Sequence, residues 1–266
     1  MSDLRAAVEA LLSGDVLERG AWVAARVAPL TVFVPWLGLR GLPSAVRAGL
    51  TVVLTLALAP LAWVSMAPLP ASTLAWGVTL LRELTLGAAF ALVAALPFEA
   101  LRWSGQVTDA WRGASLSDLV SFGGAPSSPL GELFALFGVV LFFGLGGHLL
   151  ALRAFADTLV AAPVGAVALD ATAGWLMAAR VTGDALALAV AFAAPAAVWV
   201  VSIELTLGLV GRAAPQLPVY FAGMPLRAAA GIAAAFFSVA LLAQALPHAF
   251  RDAIAFAARL LDALAH

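Results

Sequence analysis

Pro215-Gln216-Leu217-Pro218-Val219-Tyr220-Phe221-Ala222-Gly223-Met224-Pro225-Leu226-Arg227 is a short polar-tending hinge between two long apolar stretches. Proline fixes φ, removes a backbone donor and pushes the residue before it out of the helical region. A Pro-Gln start, aromatic residues in the middle and a Gly-x-Pro-x-basic exit therefore leave this backbone little freedom. Such a segment cannot face lipid without partners for its peptide groups. Two apolar helices therefore run into a bend that must pack on protein.

Composition extends that reading to the whole chain. The 266 residues are 64% hydrophobic and 11% charged, where a soluble domain carries about a quarter charged residues. Mean hydropathy is +1.04. The chain is expected to be an all-α membrane-associated protein of proline-broken hydrophobic helices. With a net charge of −1 there is no electrostatic footprint for nucleic acid. All 14 basic residues are arginine; codon bias in a GC-rich genome accounts for that more readily than a demand for weakly hydrated cations. Cysteine is absent, which excludes disulfides, iron–sulfur clusters and thiol nucleophiles. Asp3, Glu9, Asp15 and Glu18 in the first 20 residues do not fit a cleaved signal.

Working outward from the hinge, apolar stretches long enough to span a bilayer, about 20 residues, occur near Ala21–Leu39, Ala48–Met66, Leu74–Leu96, Leu133–Leu152, Ala185–Gly211 and Arg227–Leu246. Ser2 to Leu12 reads as a short amphipathic helix, and Asp15 with Glu18 has the spacing of a capping box that starts the next one. The tail from Pro247 to His266 places Phe250, Ile254, Ala257, Leu261 and Leu264 on one helical stripe, with Arg251, Asp252, Arg259 and Asp262 off it. Threading six spans leaves six loop arginines on either side, so the positive-inside rule assigns no orientation.

Several stretches make poor independent spans. Pro29, Pro35, Pro60 and Pro195 interrupt them, and Arg26, Arg82, Glu83 and Glu204 lie inside apolar runs. A charge at the bilayer centre costs roughly 2.5–3.5 kcal/mol even on the lenient insertion scale. Arg82, Glu83 and Glu204 are thus expected as buried charges that are paired, near an interface or packed against other protein, Glu204 with an arginine of a neighbouring helix or subunit. Alanine fills 16 of the last 41 positions, and small residues permit close helix approach. Together these features favour a subunit inside an oligomer.

Residues 101–129 form the longest polar-tending stretch, expected as a glycine-rich loop. Ser128-Pro129 with Glu132 reads as an N-cap, a first-turn proline and an acid near the helix start. Asp109 either pairs with Arg112 in ordinary helix support or pins this loop. Arg153 with Asp157, and Arg180 with Asp184, have the spacing of helix-supporting pairs.

No catalytic constellation emerges. His-Glu-x-x-His and Gly-x-Ser-x-Gly are missing, and a phosphate-binding Gly-Lys-Ser is impossible without lysine. His148, His248 and His266 are scattered and form no metal set. The expectation is a non-enzyme without cofactor or metal.

Four blocks carry a resemblance. They are Arg26-x-x-Pro29 through Pro35 to Leu42-Pro43-x-x-Val46-Arg47; Arg82-Glu83-x-x-x-Gly87 continuing to Gly105-Gln106-x-x-Asp109-x-x-Arg112-Gly113; Gly147-His148-Leu149 with Asp157-Thr158 and Pro163-x-Gly165; and Leu207-Gly208-Leu209-x-x-Arg212-x-x-Pro215-Gln216-Leu217 through Gly223-x-Pro225-Leu226-Arg227. In these the chain resembles the T subunit family of the bacterial type III secretion export gate, with its flagellar and injectisome members. Pro218, Arg47 and Arg227 depart from that family's usual residues.

The resemblance implies a structural, pore-building subunit spanning 1–266. In the family one T subunit joins R-type and S-type subunits in a hetero-oligomer with a central channel for unfolded secreted proteins, alongside other export-apparatus membrane proteins. The gate lies in the bacterial inner membrane, raised toward the periplasm. Its T subunit resembles fused R-type and S-type subunits of bent helical hairpins. Here that implies an R-like part over about 1–170, including the loop 101–129, and an S-like hairpin with its amphipathic tail over about 171–266. The implied plug loop carries Gly113, Leu116, Leu119, Phe122, Gly123 and Gly124. The implied hairpin hinge carries Pro215, Gln216, Pro218, Gly223 and Pro225. The alternative is a polytopic transporter using Arg82, Glu83 and Glu204 as a substrate or proton path.

Overall fold

The computed structural model describes residues 14–37, 42–70, 72–111, 128–166, 171–214, 216 and 219–265. The described residues are helical with short turns and no strand: α1 (Gly14–Phe33), α2 (Ser44–Trp63), α3 (Thr73–Trp111), α4 (Pro129–Gly144), α5 (Gly147–Ala161), α6 (Ala171–Ala213) and α7 (Val219–Ala265). The fold is all-α, as the apolar periodicity predicts. The amphipathic segment 2–12 lies outside the described residues.

Local signals explain where the helices begin. Asp15 occupies the first turn of α1, where a carboxylate complements the helix dipole. Pro43 precedes α2 in extended backbone and its carbonyl accepts the Val46 N–H at 3.0 Å. Ser128 caps α4, with Pro129 in its first turn and Glu132 following, matching the expected motif.

Pro35 lies in the turn after α1, as expected, but the other prolines expected to interrupt helices do not end them. Pro29, Pro60, Pro97, Pro195, Pro225 and Pro247 all lie inside helices that continue past them. Each removes one i→i−4 bond without ending the helix, because flanking turns and packing hold the remaining ladder. One break falls instead inside the stretch expected as one span, at Leu145-Gly146 between α4 and α5, which meet at 76°, and α7 bends by 58° between Val239 and Leu242. Gly146 has φ 70°, a left-handed conformation that ends helices and favours glycine. Similarly, residues 101–111 belong to α3 and not to a loop, and the tail is continuous with the preceding apolar stretch in α7. In that tail Phe250, Ile254 and Ala257 are buried while Arg251, Asp252 and Arg259 are exposed, as the stripe predicts.

Among the described residues three helices are long and apolar enough to cross a membrane, Ser44–Trp63, Thr73–Trp111 and Ala179–Ala213, or up to five if the bent pairs Pro129–Gly144 with Gly147–Ala161 and Pro225–Val239 with Leu242–Leu260 each count as one span.

The chain forms two compact units: residues 1–95, 146–181 and 251–266, and residues 96–145 and 182–250. In the first, α1 buries Trp22, Val23, Val27 and Leu30, α3 contributes Leu86 and Phe90, and α5 contributes Phe155 and Leu159. Phe90 and Phe155 meet edge to face at 5.2 Å, a preferred aromatic geometry. The Thr31 and Thr51 hydroxyls join α1 to α2 at 2.9 Å, and Ala67 N–H donates to the Val164 carbonyl at 2.9 Å. In the second unit Phe98 of α3, Phe142 of α4 and Phe250 of α7 form one aromatic cluster, with ring centroids 4.8–5.3 Å apart. The α6 side chains Phe192, Ala193, Ala196 and Val200 are buried in the same unit.

Candidate functional site

Three polar constructions stand out in this apolar molecule. The first is in the first unit. Glu83 on α3 is 1% exposed and Arg26 on α1 is fully buried. Glu83 Oε2 accepts from Arg26 Nε at 2.5 Å, and Glu83 Oε1 accepts the Gly165 N–H at 2.9 Å. Arg26 Nη1 donates to the carbonyls of Ala162, at 2.7 Å, and Thr158, at 3.4 Å. One ion pair thus ties α1, α3, the end of α5 and the turn after it. The reach depends on Gly87, one turn beyond Glu83. A Cβ there would overlap the Arg26 carbonyl group, so only glycine lets the two backbones close enough.

The second lies where α3 ends and α4 begins. Asp109 is 4% exposed, and its Oδ2 accepts the Ser128 hydroxyl at 2.8 Å and the Leu130 N–H at 3.0 Å. Ser128 Oγ in turn accepts the Gly131 N–H at 3.0 Å. Again a glycine one turn away permits the approach, since a Cβ on Gly105 would overlap the backbone of Gly131. Arg102, one turn before Gly105 on α3, bonds Glu99 at 2.7 Å and lies 3.7 Å from Glu132. Carboxylates gathered at the start of α4 complement its unpaired N–H groups and dipole.

The third is the junction of α6 and α7. Glu204 and Arg227 pair across it at 3.5 Å, half-exposed and one-quarter exposed respectively. Gly223 is buried beside Leu207, whose Cδ1 would stand 2.7 Å from an added Cβ.

These positions correct part of the sequence reading. Of the three expected buried charges, Glu83 is buried, whereas Arg82 and Glu204 lie on exposed helix faces within this chain. Adjacent helical residues point about 100° apart, so Arg82 and Glu83 cannot both face the same core. Glu204 does pair with an arginine of the next helix, but at the surface. Asp109 binds Ser128 and the α4 backbone; Arg112 lies outside the described residues. Gly113, Leu116, Leu119, Phe122, Gly123 and Gly124, assigned to a plug loop, lie outside them too, as do Pro215 and Pro218 of the hinge. Gln216 is an exposed turn residue, while Gly223 and Pro225 sit in the opening turns of α7. The non-helical part of the hinge is correspondingly shorter than 215–227.

Sequence reasoning missed Arg26 as the partner of Glu83, although an arginine in an apolar run was the available signal. It also missed the repeated spacing on α3, an acid and a glycine one turn apart at Glu83/Gly87 and at Gly105/Asp109. Arg153, Asp157, Arg180 and Asp184 are exposed, and His148 is half-buried in the first turn of α5. Among the described residues no three His, Cys, Asp or Glu side chains group to hold a metal. The constructions pair charges and cap helices, which is joinery.

Comparison with known proteins agrees with that character. The family model described as "Bacterial export proteins, family 1" matches residues 17–253. Flagellar biosynthetic protein FliR of Escherichia coli (strain K12) is 27% identical over 233 residues, 87% of this chain and 88% of that protein. Yop proteins translocation protein T of Yersinia pestis is 31% identical over 150 residues, 56% of this chain and 58% of that protein. Secretion system apparatus protein SsaT of Salmonella typhimurium is 32% identical over 146 residues, 54% and 56% respectively.

Proposed function

The chain belongs to the bacterial export proteins, family 1, and on that premise we propose that it is a structural, non-enzymatic subunit of a type III secretion export gate. The observation that carries the proposal is the family match over residues 17–253, which runs through all or part of every described helix from α1 to α7. The relatives named for flagellar biosynthesis, Yop translocation and a secretion-system apparatus supply the kind of machine.

In this reading one copy joins R-type and S-type subunits, in contact with other export-apparatus membrane proteins, around a channel for unfolded secreted proteins. It takes no cofactor and no nucleic acid. The chain resides in the bacterial inner membrane with the gate raised toward the periplasm. Its first part, about 1–170, corresponds to an R-type subunit, and its second, about 171–266, to an S-type hairpin. Helix lengths support a raised gate: 43 residues in α6 and 47 in α7 give contour lengths of about 65–70 Å, against a hydrocarbon core of about 30 Å. Large side chains left exposed on those helices, including Trp199, Leu205, Leu209, Phe236 and Phe237, then meet neighbouring subunits or lipid. The segment from Gly113 to Ser128 closes the channel at rest. The residues Pro215, Gln216, Pro218, Gly223 and Pro225 shape the α6–α7 hairpin.

No observation favours the transporter reading: Glu83 pairs with Arg26, and Arg82 and Glu204 lie on exposed helix faces of this chain. Native mass spectrometry of the chain in detergent, with and without co-expressed R- and S-type partners, tests the proposal. One copy in a hetero-oligomer is expected. A stable monomer or homodimer that ignores those partners overturns it.

A further inference from the structure

Between Arg47 and Arg82 the chain carries no charged side chain and no histidine for 34 residues, 48–81. Helix α2 fills the first part of that stretch and packs on one side only. Its Thr55, Ala59 and Ala62 are buried, at spacings of four and three that define one helical stripe, and it meets α1 and α5. Its hydroxyls turn to the same side. Thr51 Oγ1 bonds the Thr31 hydroxyl of α1 and donates to the Arg47 carbonyl, each at 2.9 Å, and Thr55 Oγ1 donates to the Thr51 carbonyl at 2.7 Å.

The opposite face is bare of polar side chains. From 45 to 61 every exposed residue is Ala, Val, Gly, Leu or Pro, with Val52, Val53 and Leu56 more than half exposed. A Cβ added to Gly49 would meet no other atom. An apolar face of this extent meets either lipid or another polypeptide. Three observations favour lipid. The 20 residues of α2 rise about 30 Å, the thickness of a bilayer's hydrocarbon core. Arg47 stands in the first turn and Trp63 is the last residue, the residue types that anchor a helix at the two bilayer interfaces. Lipid tails are as apolar as leucine, so a face without donor, acceptor or charge gains no hydrophobic transfer energy by leaving lipid for protein. The exposed residues of α6 differ, since they include Asp184, Ser202, Glu204 and Arg212.

We propose that the outward face of α2 is a lipid-contacting surface that stays against phospholipid acyl chains when partner subunits are bound. One bilayer interface lies at the level of Arg47 and the other at Trp63, and α2 holds the first compact unit in the membrane. The lipid contact itself rests only on membrane association; its persistence in the complex rests on the proposed gate.

The chain has no cysteine, so Val46→Cys, Val53→Cys and Leu56→Cys each take a nitroxide spin label without background. The full chain, alone and co-expressed with R- and S-type partners, is placed in phosphatidylethanolamine–phosphatidylglycerol vesicles. Collisions of the label with oxygen, which partitions into lipid, and with a water-soluble nickel chelate are then measured. Val53 and Leu56 lie near the middle of α2, so the ratio of oxygen to nickel collisions is expected to peak there and to fall at Val46, in both samples. Oxygen collisions lost at Val53 and Leu56 when partners bind mean that a subunit covers the face, and overturn the proposal. Nickel collisions as frequent at Val53 as at Val46 mean water, and overturn it too.

Gly49→Leu is a second variant, which carries the test if the labelled chains do not fold. Fluid acyl chains accommodate the added bulk, so co-purification with partners is expected to be unchanged; a folded variant that loses them shows a packed protein interface and overturns the proposal. Native mass spectrometry of the same samples reports assembly separately. If no partner is captured, the gate reading has failed, and the collision profile of the chain alone still decides the lipid surface.

Discussion

Arg82 and Glu83 are neighbours in sequence, and the helix turns them to opposite surroundings. Glu83 meets Arg26 and the Gly165 N–H in the core of the first unit, while Arg82 points outward. Removing one member of a buried pair leaves an uncompensated charge, which costs about 3–5 kcal/mol. Glu83→Ala and Arg26→Ala are each expected to destabilise the chain by about that amount, measured by denaturation in detergent followed by circular dichroism. Arg82→Ala is expected to stay within about 0.5 kcal/mol of wild type, as exposed substitutions do. Equal losses from Arg82→Ala and Glu83→Ala would contradict the placement. The same scale separates Glu204: its pair with Arg227 is half-exposed, so Glu204→Gln is expected to change stability by less than about 1 kcal/mol.

At the scale of elements, α3 makes its contacts through glycines as much as through large side chains. Gly87 faces the Arg26 backbone, whereas Gly77, on the same helix, has no atom near an added Cβ. Gly87→Ala is expected to destabilise by about 1–3 kcal/mol, the range for overpacking a tight site. Gly77→Ala is expected to be neutral or to stabilise by up to about 1 kcal/mol, through helix propensity. The two midpoints, compared under one detergent condition, check the pair; a larger loss at Gly77 would be inconsistent with this crossing. For the α6–α7 hairpin, Pro225 lies inside α7, so alanine there restores a missing backbone bond. Replacing Pro215 and Pro225 together is expected to abolish co-purification with R- and S-type partners. Normal assembly of that variant would remove the hinge from the account.

At the scale of the whole molecule, the proposed gate predicts a separation between assembly and sealing. Deleting Ser115–Gly124 is expected to leave the complex assembled, by native mass spectrometry, yet permeable to small ions in vesicles. A deletion variant as tight as wild type would count against a plug. The two compact units are built from interleaved segments of the chain, so no cut at one peptide bond separates them. Truncation is a poor probe of this protein, and internal substitutions are the better one.

What the amino-acid sequence determined by itself is local or compositional. Apolar stretches of about 20 residues pointed to a membrane-associated helical chain, and the cap of Ser128, Pro129 and Glu132 marked the start of α4 to the residue. The stripe through Phe250, Ile254 and Ala257 marked the inward face of the tail. Such signals act within one or two turns, so they are legible without knowing what packs where. The remaining features depend on distant partners and on rotational phase, which packing alone sets. Arg26 and Glu83 are 57 positions apart, and nothing local says which of Arg82 and Glu83 turns inward. Whether a proline ends a helix or merely bends it depends on the packing around it, so Pro60, Pro195 and Pro225 stayed helical and the break fell at Gly146. The joint made by Asp109 was half visible, as an acid near a loop. Its partner was set by how closely Gly105 lets two backbones approach, a distance that exists only once the helices have packed.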